Sequence, residues 1–401
     1  MKLNKLFLCS LSLSTLLVAE NIDTRFNYFG NISGSKLSEK GYTLNNYSHD
    51  NVDNDLSLTP YTKLGAQLSL FYQDYTLTAQ ALTRKNHEKY TGELTWFDIK
   101  YDFNNSTSLK VGRIQATMLL NSDSIDIDYI HLWAKAPDEV YRISGINTFD
   151  GIELRYKNLY KDYDYNIVFT PYAKSKKNIN TTENTESEAI LDNVSILRLN
   201  IEKDALIIQG SYARGDIHMP NDGKDLYTLQ NALEAYGNDG SRFSFEHKKL
   251  TVWTIGLKYE YDDFIFHSEY AKMDTTSLLA NTSAYFMLFG YRYNNFTPFY
   301  IYARSKADKD HFDTSDIVGT TALINSANNV LYSTNSSQIT SSIGIRYDYK
   351  PGIALTAQID RVKTSNYGTQ GNLNRRGILE YELGKDNEPI YMYIMGLSFA
   401  F

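Results

Sequence analysis

The chain has 401 residues, of which 14 % are aromatic (33 Tyr, 19 Phe and 3 Trp), yet only 42 % are hydrophobic and the mean hydropathy is −0.41. After residue 19 no run of about 18 apolar residues occurs, which excludes a helical membrane protein, and a chain this rich in aromatics is not a disordered one. A single cysteine, Cys9, excludes a disulfide scaffold or a cysteine-based metal site, and a formal charge of −7 argues against a nucleic-acid partner.

In chain order, MKLNKLFLCSLSLSTLLVAE combines Lys2 and Lys5 with an apolar stretch at 6–18 and a small Ala19, the pattern of a secretory signal peptide over 1–19. Cleavage there removes Cys9 and two lysines, so 38 Lys and Arg face 47 acids, a net charge of −9. The remainder, 20–401, reads as one domain without a linker. A lone strand at 24–30 (TRFNYFG) opens it. Seven hairpins follow at 65–84, 94–113, 151–172, 195–214, 251–272, 285–304 and 339–361, and a final strand occupies 390–401. The strand count is sixteen; a further short hairpin within 31–60 would make it eighteen.

Turn chemistry divides the connections into two kinds. Gln73-Asp74, Lys203-Asp204, Asp262-Asp263, Asn294-Asn295 and Lys350-Pro351 are polar, turn-compatible pairs that interrupt the alternation. The opposite connections are long and polar at 31–60, 115–147, 175–193, 216–249, 307–337 and 365–389, and short near 85–91 and 274–282. Tight turns at one end, long loops at the other and an even strand count predict an all-β, transmembrane antiparallel barrel.

Alternation within the strands agrees. Trp253, Ile255, Leu257, Tyr259 and Tyr261 share one parity, and Thr254, Gly256, Lys258 and Glu260 take the other. Apolar and charged faces over a membrane-spanning length imply lipid on one side and water on the other. Tyr72, Tyr75, Tyr101, Tyr163, Tyr259, Tyr291 and Tyr347 crowd the short turns, which suits a girdle of rings at headgroup level.

Sixteen strands leave an aqueous channel, where eight would be filled by side chains. The loop 115–147 is the candidate for narrowing it. It carries Asp123, Asp126, Asp128, Asp138 and Glu139 against Lys135 and Arg142. Inward parity on the walls gives Arg155, Arg198, Lys258, Arg292, Arg304 and Arg346, interspersed with Glu153, Glu202, Glu260, Glu269 and Asp360. Carboxylates lining a pore favour cations and arginines favour anions. Neither GxSxG nor HExxH occurs, and His267 beside Glu269 on the inward parity reads as a lumen pair rather than a catalytic one. SDSIDID at 122–128 lacks the order of an EF-hand loop. No catalytic residue, cofactor or metal-ligand set is assigned.

At the C-terminus Tyr391, Tyr393, Met395, Leu397, Phe399 and Phe401 occupy alternate positions. This resembles the closing strand of Gram-negative outer-membrane porins, in which the terminal aromatics, here Phe399 and Phe401, are the signal read by the barrel-assembly machinery. The segment 110–142 (KVGRIQATMLLNSDSIDIDYIHLWAKAPDEVYR) resembles the constriction-loop region of trimeric porins. There a Gly-Arg at the end of the fifth strand leads to an inward-folded acidic loop closed by a Pro and an aromatic. The whole layout is similar to general porins and to the porins of Campylobacter and its relatives. The resemblance implies a homotrimer in outer-membrane lipid that passes small hydrophilic solutes and ions by passive diffusion, with loop acids set against wall bases across the narrowest point. The acidic loop and the charge of −9 add an expectation of weak cation preference. The alternatives are an eighteen-stranded substrate-specific porin, or a structural or adhesive surface barrel whose long loops at 216–249 and 307–337 do the work.

Overall fold

A computed structural model describes residues 22–401 apart from 45–49, 87–88, 144–147, 183–184, 220–222, 335–336, 365–374, 377–378 and 382–387; the expected signal peptide lies outside the described residues. Sixteen strands close into one antiparallel barrel. They are β1 (Asp23–Leu37), β2 (Lys63–Tyr72), β3 (Tyr75–Asn86), β4 (Lys89–Asp102), β5 (Thr107–Gln115), β6 (Thr148–Tyr160), β7 (Tyr163–Thr182) and β8 (Thr185–Lys203) in the first half. The second half is β9 (Leu206–His218), β10 (Lys248–Tyr261), β11 (Phe264–Thr275), β12 (Thr282–Tyr291), β13 (Phe296–Ala307), β14 (Gln338–Lys350), β15 (Ile353–Thr364) and β16 (Ile390–Ala400). Each strand pairs with its sequence neighbour, and β16 closes on β1 with Phe29 opposite Ala400. At that seam Tyr28 and Phe401 exchange both backbone hydrogen bonds at 2.9 Å.

The turn end is built as the sequence predicts. Gln73, Asp204, Asp262 and Asn294 take positive φ values of about 50°, the left-handed conformation that tight hairpins need. Two turns sit one residue later than expected: β8 keeps Lys203, so the turn is Asp204-Ala205, and β14 keeps Lys350, so it is Pro351-Gly352, with Gly352 at φ 85°.

At the loop end three expectations change. Strand β1 runs on to Leu37, and Tyr42–Leu44 pairs with Leu379–Tyr381 outside the barrel, so 31–60 adds no barrel hairpin and the count is sixteen, not eighteen. The segment 175–193, expected as a loop, is almost wholly strand. Lys174 pairs with Asp192 at 3.0 Å and Lys176 with Glu188 across it. A hairpin with water on both faces shows no apolar alternation, so its strand character was hidden. Helices Gly223–Glu234 and Thr321–Ser333 lie in the loops after β9 and β13. They join Phe243, Leu278 and Phe312 in an apolar cluster over Leu229, Leu233 and Leu331.

The outward faces are apolar along the middle of the strands, as at Ile255, Phe289, Ile343 and Met395, all exposed. The inward faces are mixed. Where the loop after β5 docks, β11 to β13 turn Ile265, Phe286, Leu288, Phe299 and Ile301 inward.

Candidate functional site

The loop between β5 and β6 enters the barrel and is tied to the wall around most of the circumference. Its departure is fixed by Gly112 at φ 135°, where a side chain would collide with the Phe97 carbonyl at 2.3 Å. The neighbouring Arg113 turns outward and makes a bidentate pair with Asp150 of β6, its Nε 2.8 Å from Oδ1.

The first stretch runs along β9 to β11. The carbonyl of Met118 accepts from Gln209 at 3.0 Å, Ser211 at 2.9 Å and Thr254 at 2.7 Å. The backbone N–H of Leu120 donates to Glu269 of β11 at 2.8 Å, and Tyr141 from the far end of the loop donates its phenol proton to the same carboxylate. His267 completes that set, its Nε2 3.0 Å from Glu269. Gly256 and Gly290 leave space for loop leucines: a Cβ on either would stand 2.7 Å from Leu120 and 2.9 Å from Leu132 respectively.

At the centre Trp133 is 3 % exposed. His131 stacks on one side at 5.0 Å, His267 lies at 5.8 Å, and Phe286 meets the ring edge-on at 5.9 Å. Burial lowers the pKa of His131 to about 3, so this imidazole is neutral near pH 7.

Wall cations and amides hold the remaining backbone. Arg346 of β14 donates to the carbonyls of Tyr129 and, at 2.7 Å, His131, while its other nitrogens grip Asp348. Gln358 of β15 accepts from Ala134 N at 2.9 Å and donates to Asp360 at 2.7 Å. After Pro137 the helix Asp138–Tyr141 carries two acids in its first turn, where the dipole favours them. Glu139 accepts from Gln338 at 2.8 Å and from Thr340; burial raises its pKa.

Most loop charges are neutralised at once. Lys63 of β2 sits 3.6 Å from Asp126 and 3.0 Å from Asp128, and Arg84 of β3 is 3.6 Å from Asp126. Burial pushes both carboxyls up; the Lys63 and Arg84 cations outweigh this at Asp126, which ends below the usual range, while Asp128 ends above it. Lys135 pairs with Asp138 at 2.9 Å and Asp360 at 3.5 Å; burial opposes its charge, but the two acids raise its pKa above the ordinary value. Arg142 ends the helix, its N–H donating to Asp138 at 3.1 Å. Asp123 alone of the loop acids named from sequence is exposed. It lies within electrostatic reach of Arg198, as do Arg155 and Glu153.

The wall residues named from sequence thus separate. Arg155 pairs with Glu153 at 3.1 Å and stands near the buried Arg198. Lys258 and Arg292 both bind Glu260 toward the turn end. Arg346 is a loop anchor. Arg304 corrects the parity: it is exposed on the outward face of β13, because Thr297, Phe299, Ile301 and Ala303 are the buried inward set. Both faces of β13 are apolar, so alternation could not distinguish them. Sequence reasoning missed Lys63, Arg84, Gln209, Thr254 and Gln358. Inward parity on β2 and β3 was the available signal for the first two.

No family model matches the sequence, and no curated protein does. Solved structures do. The outer-membrane channel DcaP of Acinetobacter baumannii superposes with a TM-score of 0.55 at 12 % identity, covering 95 % of this chain and 98 % of that one. OmpF of Salmonella typhi, solved with daunomycin, gives 0.53 at 12 % identity over 94 % and 97 %. The anion-selective porin of Comamonas acidovorans gives 0.51 at 11 % over 94 % and 100 %. At these identities the likeness establishes the fold: the sixteen-stranded barrel of outer-membrane porins and channels.

Proposed function

We propose that the chain is an outer-membrane porin: a water-filled channel for passive diffusion of small hydrophilic solutes and ions. The observation that carries this reading is the loop fixed inside a closed sixteen-stranded barrel. Sixteen strands are too many for wall side chains to fill. The loop is bonded on β2, β3, β9 to β11, β14 and β15, so narrowing is permanent and needs no energy source. Outward apolar bands with aromatic rings at the turn end suit a bilayer. Phe399 and Phe401, outward on the closing strand, serve as the assembly signal, and a homotrimer follows the resemblance to trimeric porins.

The aqueous path runs between the free side of the loop, bearing Asp123, and the wall bearing Arg155 and Arg198, with Lys258 and Arg292 below. A net charge of −9 after cleavage supports a cation preference. The pairing of Asp126, Asp128 and Asp138 with lysines and arginine makes it weak. Planar bilayers test the reading: ohmic channels with a small cation-side reversal potential in a KCl gradient are expected. Absence of conductance contradicts a porin, and marked anion preference contradicts the selectivity.

A further inference from the structure

The loop-end rim of the barrel is electrostatically lopsided on its outward face. Around β5 to β9 most outward charges are met within the chain, and the exposed Arg214 bonds the Ser195 hydroxyl at 3.2 Å. Arg113 holds Asp150, Lys174 holds Asp192, Lys176 holds Glu188, and Asn193 bonds Asp216. On the other half Arg304 and Lys306 of β13 and Arg361 and Lys363 of β15 are all exposed. Among the described residues none of these four has an ion-pair partner. On that face Asp274 binds Lys272 at 3.1 Å, and Asp308 stands two residues beyond Lys306.

The strand register makes one surface of them. Ile339 of β14 lies opposite Arg304 on one side and Lys363 on the other. Ser341 stands between Tyr302 and Arg361 in the same way. Two strand spacings place Arg304 about 10 Å from Lys363, and Arg361 is about 7 Å from Lys363 along β15. The residues between, Ile339 and Ser341, add no competing charge. Aromatic rings mark the level. Tyr285 is opposite Arg304 and packs on Tyr302 at 6.1 Å, and Tyr391 is opposite Arg361. Rings of this kind sit where hydrocarbon gives way to headgroups. Four cations without partners at that height would be costly against lipid tails and favourable against anionic headgroups.

We propose that the outward rim of β13 to β15, through Arg304, Lys306, Arg361 and Lys363, binds the phosphate groups of a lipid headgroup in the outer leaflet. This rests on the outer-membrane reading above. Arginine chelates phosphate oxygens with a planar fork and lysine adds point charge, so a headgroup with more than one phosphate can engage both strands together.

The test uses the folded full chain in neutral detergent with diphosphoryl lipid A as probe and the same lipid stripped of phosphate as control. The expected result is retention on the phosphorylated lipid that falls with salt and drops at least about tenfold in R304Q/K306Q/R361Q/K363Q, which removes four cations from the anionic surface. K174Q/K176Q, on the self-neutralised half, keeps full binding. Heat-modifiable migration and bilayer conductance of the quadruple variant show that the barrel has formed. Should that variant not fold, R304Q and K363Q singly are expected to lose part of the binding. Equal retention of wild type and variants, equal binding of the phosphate-free lipid, or displacement by millimolar inorganic phosphate overturns the proposal. Loss of conductance in the wild type instead removes the porin reading, which the binding comparison does not touch.

Discussion

Glu269 of β11 accepts hydrogen bonds from Leu120 N at 2.8 Å and from the Tyr141 phenol, residues near opposite ends of the internal loop. One buried carboxylate therefore staples both limbs of the loop to one strand. Replacing it by Ala leaves the Leu120 N–H, the Tyr141 hydroxyl and His267 without this acceptor, and each buried orphan costs about 1–3 kcal/mol. E269A is expected to lower the temperature of the heat-induced mobility shift and to make single-channel current noisy. Quiet channels at wild-type temperature would show that Glu269 does not hold the loop.

The glycines under the loop give a steric counterpart. A side chain on Gly256 meets Leu120 and one on Gly290 meets Leu132. Overpacking of this kind costs about 1–3 kcal/mol, and the element free to move is the loop. G256V and G290V are each expected to change unitary conductance while leaving the barrel's resistance to SDS at room temperature intact. Unchanged conductance in both would place the loop contacts outside the conducting geometry.

Lys63 neutralises two acids. K63Q would uncover Asp128 and leave Asp126 to Arg84 alone, and D126N/D128N would uncover Lys63, while Arg84 keeps Glu93 at 2.9 Å. Partly exposed pairs are worth about 0.2–1 kcal/mol, so permeability ratios should shift by up to about fivefold, toward cations in the first variant and toward anions in the second. Reversal potentials in a KCl gradient measure this. Shifts of the same sign would contradict the pairing.

His131 gives the loop a pH dependence. Its pKa is about 3 when buried and near 6.5 when the loop is free. The undocked loop takes up a proton between those values and the docked loop does not. Docking is thus fully stable above about pH 6.5 and loses about 1.4 kcal/mol per unit as pH falls toward 3. Glu139, whose pKa is raised, acts oppositely: protonation favours its buried state as pH falls through the carboxylate range. Channel noise is expected to grow from pH 7 to pH 5 in the wild type and to stay flat in H131N. Equal growth in both would assign it elsewhere.

The barrel was legible because its signals are local. A turn pair and the rings beside it identify a hairpin without knowledge of any distant residue, and Phe401 at an alternate position identifies the closing strand. The site was legible only as a segment. Acids in 115–147 and bases on the wall could be named, but which acid meets which base depends on closure, which brings β2, β3 and β15 against one loop. Lys63 and Gln358 are about 295 residues apart in sequence and grip opposite limbs of that loop. Arg304 was misplaced for a different reason. Phe299 and Ile301 inside and Tyr300 and Tyr302 outside leave β13 without a polar face to orient it, because its inner face packs the loop.

The central claim is a permanently narrowed, weakly selective aqueous channel, and single-channel recording of the folded chain in a planar bilayer with a tenfold KCl gradient tests it most directly. Stable ohmic steps with a small reversal potential on the cation side are the predicted result. A closed barrel without steps, or channels of strong anion preference, would contradict it.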